Sequence, residues 1–268
     1  MRLVDGAEAI RGDLPFASTQ VVDVPLEAGD DQGTGVQRAS SIELVRDRLA
    51  QALSTIDGPA ITIGGDCSVE LGAIGHVLDR DRAAGKVAVV WFDAHPDIHS
   101  VETSDSKAFH GMVVRTLLGD GPARLVPSTA LRPERLVLAG MRAPDPGEAA
   151  YLDMVAIATL PEPTPESVVD AVEATGATSV YLHIDLDVLD PADVVGIGFP
   201  EPFGLRVNTL VGCIRALVER WPLAGAGITE FAPASLADAV EDLPTILRIV
   251  GALAKPGHGA VASRMVEE

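Results

Sequence analysis

Short runs of β-branched and aliphatic residues alternate with amphipathic stretches along almost the whole chain. That rhythm constrains the fold more than any other feature. Residues 21–26 (VVDVPL), 60–64 (AITIG), 87–93 (VAVVWFD), 135–140 (RLVLAG), 155–160 (VAIATL), 180–187 (VYLHIDLD) and 225–231 (GAGITEF) read as strands. Between them, 40–53, 69–84, 164–175, 206–221 and 236–254 carry apolar residues at helical spacing. Continuous apolar strands separated by helices indicate a parallel sheet covered on both faces, an α/β fold. No Pro/Gly/Ser-rich linker and no repeat of fixed period breaks the pattern, so residues 1–268 read as a single domain. The longest irregular stretches, 97–107 and 188–204, both follow acid-rich strand ends, and loops that long are usually functional.

Composition agrees and excludes some functions. Aromatics make up only 4% of the 268 residues, so Ala, Val, Leu and Ile must build the core. That suits helices on a parallel sheet. The net charge of −19 gives no footprint for a phosphate backbone, which argues against nucleic acid, but it suits cationic metals and substrates. Two cysteines, Cys67 and Cys213, make no disulfide framework. The first ten residues lack the apolar stretch of a signal peptide, and no window is apolar enough for a membrane span. The expectation is a soluble cytoplasmic protein without a membrane partner.

The acids cluster where open α/β sheets bind ligands, at the carboxyl ends of strands. GGDCS (64–68) follows one strand, DAHPD (93–97) a second, DLDVLD (185–190) a third, and Glu230 a fourth. In extended chain, residues two apart share a face, so Asp93 projects with His95 and Asp185 with Asp187. Four carboxylates in one pocket, Asp93, Asp97, Asp185 and Asp187, would repel unless cations neutralise them. Two divalent ions would balance them, and oxygen-rich ligation with imidazole suits manganese better than zinc. A metal pair can bridge one water and lower its pKa towards neutrality, making hydroxide available for hydrolysis. Any one of these motifs could be a solvated turn or a helix cap; together, at successive strand ends, they point to a site.

GGDCS, DAHPD, FHG (109–111), HIDLDVLDP (183–191) and TEFAP (229–233) occur in the order and spacing of the ureohydrolase family, which holds arginase, agmatinase and formiminoglutamase. The chain resembles that family from about residue 60 to 235. The resemblance implies a three-layer α/β/α arginase-like fold and a dimanganese hydrolase of guanidino or related C–N bonds, commonly releasing urea. It implies that Asp93 and Asp185 bridge both metals, that Asp97 completes one shell, and that His95 and Asp187 complete the other. It puts the proton-moving histidine at His110 and the acid that holds the substrate's planar cation at Glu230, a pairing with two parallel hydrogen bonds.

One position departs from the family pattern. The glycine-pair motif usually reads GGDHS, and its histidine ligates the first metal; here that residue is Cys67. A thiolate would add a negative charge and shift preference from manganese towards iron, cobalt or zinc. Alternatively Cys67 stays a neutral thiol, and the first metal is weakly held or absent. The chain would then be a metal-poor, non-catalytic family member.

For the substrate, AGMRAPDPGE (139–148) resembles an arginase stretch and offers Asp145 and Glu148 near a substrate's α-amino group, with Ser106 near its α-carboxylate. His99 stands where arginase has asparagine, facing substrate, and Lys107 or Arg142 could pair with a carboxylate. Arginine leads as the expected substrate, with agmatine or a formimino acid behind it. Family members usually form trimers or hexamers, so a homo-oligomer is expected.

Overall fold

The computed structural model describes residues 2–80 and 86–254. In chain order the elements are α1 (Arg2–Gly12), α2 (Ala39–Leu53), β1 (Ile61–Ile63), α3 (Glu70–Arg80), β2 (Val87–Phe92), α4 (Val113–Leu117), β3 (Leu136–Ala139) and α5 (Pro146–Leu152). They continue with β4 (Ala158–Leu160), α6 (Pro165–Thr175), β5 (Ser179–Asp185), α7 (Val207–Arg220), β6 (Leu223–Thr229) and α8 (Leu236–Leu253). Six strands form one sheet in the order β1-β6-β5-β2-β3-β4, and every pairing is parallel.

Helices cover both faces, which makes the three layers. Even-numbered residues of the two central strands (Ala88, Val90 and Phe92 with Val180, Leu182 and Ile184) join a core built on α6, α7 and α8. Odd-numbered ones (Val87, Val89 and Trp91 with Tyr181) join a second core built on α2, α3 and α4. Each fully buried aliphatic side chain contributes about 1.5–3 kcal/mol by leaving water. This alternation decides which side chains of β5 can reach α3.

β2 and β5 are neighbours although some ninety residues separate them in the chain, with Phe92 level with Ile184. From that pair the chain moves outward in opposite directions, from β2 to β3 and β4 on one side and from β5 to β6 on the other, where β6 pairs with the edge strand β1. Such a divergence opens a crevice at the carboxyl ends of the strands. Asp93 and Asp185 stand side by side at its rim.

The stretch 21–26, expected as a strand, lies outside the sheet. Val21 is 61% exposed, Val24 56% and Leu26 100%. β-branched composition favours an extended chain, but a strand also needs a ladder partner and a buried face, and Pro25 has no N–H to offer. Asp23 is instead tied to α2, where Arg48 donates to its carbonyl and its carboxylate at 2.8 and 2.9 Å. The helix expected over 69–84 runs from Glu70 to Arg80, and positions 81–84 lie outside the described residues. Residues 2–12, for which no element is expected from the sequence, form α1 and bury Gly6 and Ile10. Among the described residues, no helix is long and apolar enough to cross a membrane.

Candidate metal centre

The site is assembled by tight turns at the ends of β1, β2 and β5. In each, a carboxylate accepts from the backbone N–H two residues on: Asp66 from Ser68 at 2.9 Å, Asp93 from His95 at 2.6 Å and Asp185 from Asp187 at 2.8 Å. These side chains are therefore aimed by turns, not by the extended alternation the sequence suggested, because β2 ends at Phe92 and β5 at Asp185. The motif D-x-(H/D) encodes the turn itself.

The carboxylates are buried and close together. Trp91 Nε1–H donates to Asp93 Oδ2 at 2.9 Å, and the Ala94 N–H donates to Asp187 Oδ1 at 3.0 Å. His95 Nδ1 stands 2.9 Å from Asp187 Oδ2. The Cys67 thiol donates to Asp185 Oδ2 at 3.0 Å. Asp97 is held at φ +50, and its Oδ2 is buried with no hydrogen-bond partner among the described residues.

Burial raises the Asp97 carboxyl above its ordinary range, and the Asp93 charge adds to the effect. Burial together with Asp187 and Asp93 does the same to Asp185, and burial with Asp93 lifts Asp187 to about 6. Burial also acts to raise Asp93, but the His183 and His95 imidazoles outweigh it and hold that carboxyl low. Burial works against the His95 cation, yet Asp187 and Asp93 push it up to about 11. Burial and the Asp185 charge keep Cys67 a neutral thiol.

Carboxyl groups buried this close together, one of them with an oxygen that has no partner among the described residues, call for cations, so the donor set fits divalent metal. Ligand atoms within 4.8 Å of one another form two adjacent groups, Cys67–Asp93–His183–Asp185 and Asp93–His95–Asp187. They share Asp93, and Asp97 belongs to neither.

His183 is the residue that sequence reasoning missed. It sits on β5 two residues before Asp185, and the period of two that paired Asp185 with its neighbours reaches it as well. Its ring is fully buried and stacks on Trp91, centroids 3.5 Å apart. Nε2 lies 3.7 Å from Cys67 Sγ and 3.8 Å from Asp93 Oδ2, while Nδ1 lies 3.1 Å from Glu70 Oε1. Glu70, also fully buried, accepts the Tyr181 hydroxyl on its other oxygen at 2.6 Å.

Glu230 follows β6 at φ +64, its N–H donating to the Gly65 carbonyl at 2.8 Å. Burial, then Asp66, Asp187 and Asp93, push its carboxyl up to about 8. His110 lies in the 3-10 turn Phe109–Met112 and stacks on Phe199 of the 188–204 loop, centroids 5.5 Å apart.

A third group joins His99, Asp145 and Glu148. His99 Nε2 is 3.0 Å from Asp145 Oδ2 and 3.9 Å from Glu148 Oε1. Asp145 and Glu148 also cap α5 reciprocally. Ser106 is exposed, and its hydroxyl accepts from the Ala108 N–H at 3.2 Å. Lys107 Nζ donates to the Val101 carbonyl at 2.6 Å. The Arg142 guanidinium donates to the carbonyls of Asp187, Glu201, Pro202, Val188 and Gly140, which pins the 188–204 loop to the rim of the site.

Residues 6–242 match the model of the arginase family. The chain is 28% identical over 219 residues to an arginase of Entamoeba histolytica, covering 78% of this chain and 74% of that one. It is 29% identical over 237 residues to an arginase of Bacillus caldovelox, covering 83% and 76%. The crystal structure of the Entamoeba histolytica arginase in complex with L-ornithine superposes with a TM-score of 0.79 at 25% identity, covering 87% of this chain and 82% of that one.

Proposed function

The chain belongs to the arginase family and is a hydrolase of C–N bonds in amidines, and from that premise we propose that it cleaves a guanidino compound and releases urea. The single observation behind this reading is the pair of ligand groups sharing Asp93, with the buried carboxyl of Glu230 beside them. Divalent metal bound there, manganese in the proposal, supplies an activated water at neutral pH. Asp93, His95, Asp97, Asp185 and Asp187 hold it with Cys67. Glu230 receives the guanidinium through two parallel charge-assisted hydrogen bonds, so a carboxyl with a pKa near 8 is ionised once its cation arrives. His110 carries a proton to the departing amine from its imidazole nitrogen.

Arginine is the first substrate to test. The Entamoeba arginase it resembles was crystallised with L-ornithine, which is arginine less its amidino group. One observation favours a second reading. Lys107 and Arg142, the cations offered for a substrate carboxylate, are already engaged with backbone carbonyls. A guanidino compound without a carboxylate, such as agmatine, suits those surroundings better.

Urea release from arginine and from agmatine by the manganese-loaded protein separates the two. Asp185→Ala should abolish release, and no urea from any guanidino compound, or unchanged turnover in that variant, rejects the proposal.

A further inference from the structure

We infer that His183 is a metal ligand: its Nε2, with Cys67, Asp93 and Asp185, holds one of the two cations, and Glu70 positions the ring from behind. The inference rests on the metal-dependent reading above and goes beyond it, since it names the nitrogen donor at the position where the family motif lacks its histidine.

The two ring nitrogens have different surroundings. Nδ1 points to Glu70 Oε1 at 3.1 Å, which places a proton on that atom, so the neutral ring carries its lone pair on Nε2. Nε2 faces Cys67 Sγ at 3.7 Å and Asp93 Oδ2 at 3.8 Å. The second spacing is too long for a hydrogen bond. Both are the separations of atoms sharing one ion, since bonds of about 2.0–2.3 Å at tetrahedral angles put ligand atoms roughly 3.3–3.8 Å apart. A carboxylate behind a ligating imidazole is the usual device for fixing its tautomer and direction.

The surroundings are arranged for this ring. Trp91 stacks on one face, so the imidazole cannot tip out of the plane that aims Nε2 at the cluster. Glu70 reaches the strand because β6 has Gly227 there; a Cβ at that position would overlap the Glu70 carboxylate. Tyr181, two residues before His183 on the same face of β5, holds the other Glu70 oxygen at 2.6 Å. A core histidine satisfied by a glutamate would need none of the carboxylates and the thiol gathered at its other nitrogen. One thiol, one imidazole and two carboxylates form a softer set than Asp93, His95 and Asp187, so this position should prefer cobalt or zinc over manganese.

Cobalt(II) titrated into the chelator-stripped full-length protein tests this, read by visible absorption and by elemental analysis after dialysis. The wild type should hold two ions per chain. His183→Gln should lose one of them, or bind it about 10–100-fold more weakly, while the other stays. The double variant Cys67→His/His183→Gln should recover it, because imidazole returns to the cluster from the β1 turn. Glu70→Gln, which keeps the shape and removes the charge behind the ring, should weaken the same ion about tenfold. If His183→Gln does not fold, Glu70→Gln carries the test. A wild type that binds no cobalt rejects the metal-dependent reading itself. Two ions held with unchanged affinity in the folded His183→Gln, or in Glu70→Gln, reject the role of His183 alone.

Discussion

Glu230 sits where a side chain is least comfortable. Its backbone adopts φ +64, a left-handed conformation that costs a non-glycine residue about 1–2 kcal/mol. Its carboxyl is buried beside Asp66, Asp187 and Asp93, and its pKa is lifted to about 8. Strain and charge crowding at one residue are tolerated when the residue serves a ligand. Glu230→Gln should therefore separate stability from activity. The metal-free variant should melt no lower than wild type, and increasingly higher as pH rises from about 4.5 to about 8, the window in which the wild-type carboxyl keeps its proton folded and loses it unfolded. Guanidine hydrolysis should nevertheless fall roughly 100-fold, since breaking a buried ion pair costs about 3 kcal/mol or more. A variant that melts lower and turns over normally would make Glu230 a structural residue. At this scale the motifs made legible which side chains stand at the strand ends: Asp93, His95, Asp97, Asp185, Asp187 and Glu230. His183 and Glu70 were not legible, for a physical reason. A histidine inside an apolar strand and a glutamate in the first turn of a helix each have an ordinary explanation in sequence. Only the register of β5 against β2 and β6 brings them face to face.

Helix α5 is the element on which structure and function compete for the same side chains. Asp145 caps it, accepting the Glu148 N–H at 2.9 Å, while Glu148 returns the contact to the Asp145 N–H at 3.1 Å. Glu148 also accepts the Ile98 N–H at 3.2 Å, which ties α5 to the loop after β2. Losing an N-cap typically costs about 1 kcal/mol, whereas serine keeps the acceptor without the charge. Asp145→Ala should accordingly lower stability by about 1 kcal/mol, and Asp145→Ser by less than about 0.5 kcal/mol. If Asp145 also steadies a cationic substrate tail, Asp145→Ser should raise KM with little change in kcat; denaturant melts beside steady-state kinetics would read both. Equal destabilisation by the two substitutions would show that its charge, and not its capping oxygen, supports the helix. Elements were legible where burial and period agreed, as in β2, whose six residues are all buried. They were misread where composition stood alone: 21–26 has strand residues but no partner, and the two-residue overhang at 230–231 belongs to the turn that strains Glu230.

Across the whole molecule, the order of strands was the part the sequence withheld, because parallel pairing depends on crossovers and not on local pattern. That order puts the turns after β2 and β5 in contact and concentrates buried acid at the centre of a chain of net charge −19. The consequence is a linkage between protons, metal and stability. Asp187 at about 6, Glu230 at about 8 and His95 at about 11 hold their protons more tightly folded than unfolded, and Asp97 and Asp185 are raised as well. A group with a raised folded pKa contributes fully below its unfolded value and loses that contribution as pH rises through the folded one. Asp93, held low, works in the opposite sense, but below the ordinary carboxylate range of about 4. In chelator, the melting temperature should therefore fall steadily between about pH 5 and 8.5. Divalent cations replace those protons and require the ligands deprotonated, so saturating manganese should flatten or reverse the slope. The surface charge is the same in both samples, which assigns the difference between the two curves to the centre. A melting temperature that rises with pH in chelator, or two parallel curves, would mean that the buried carboxylates are neutralised by something other than metal.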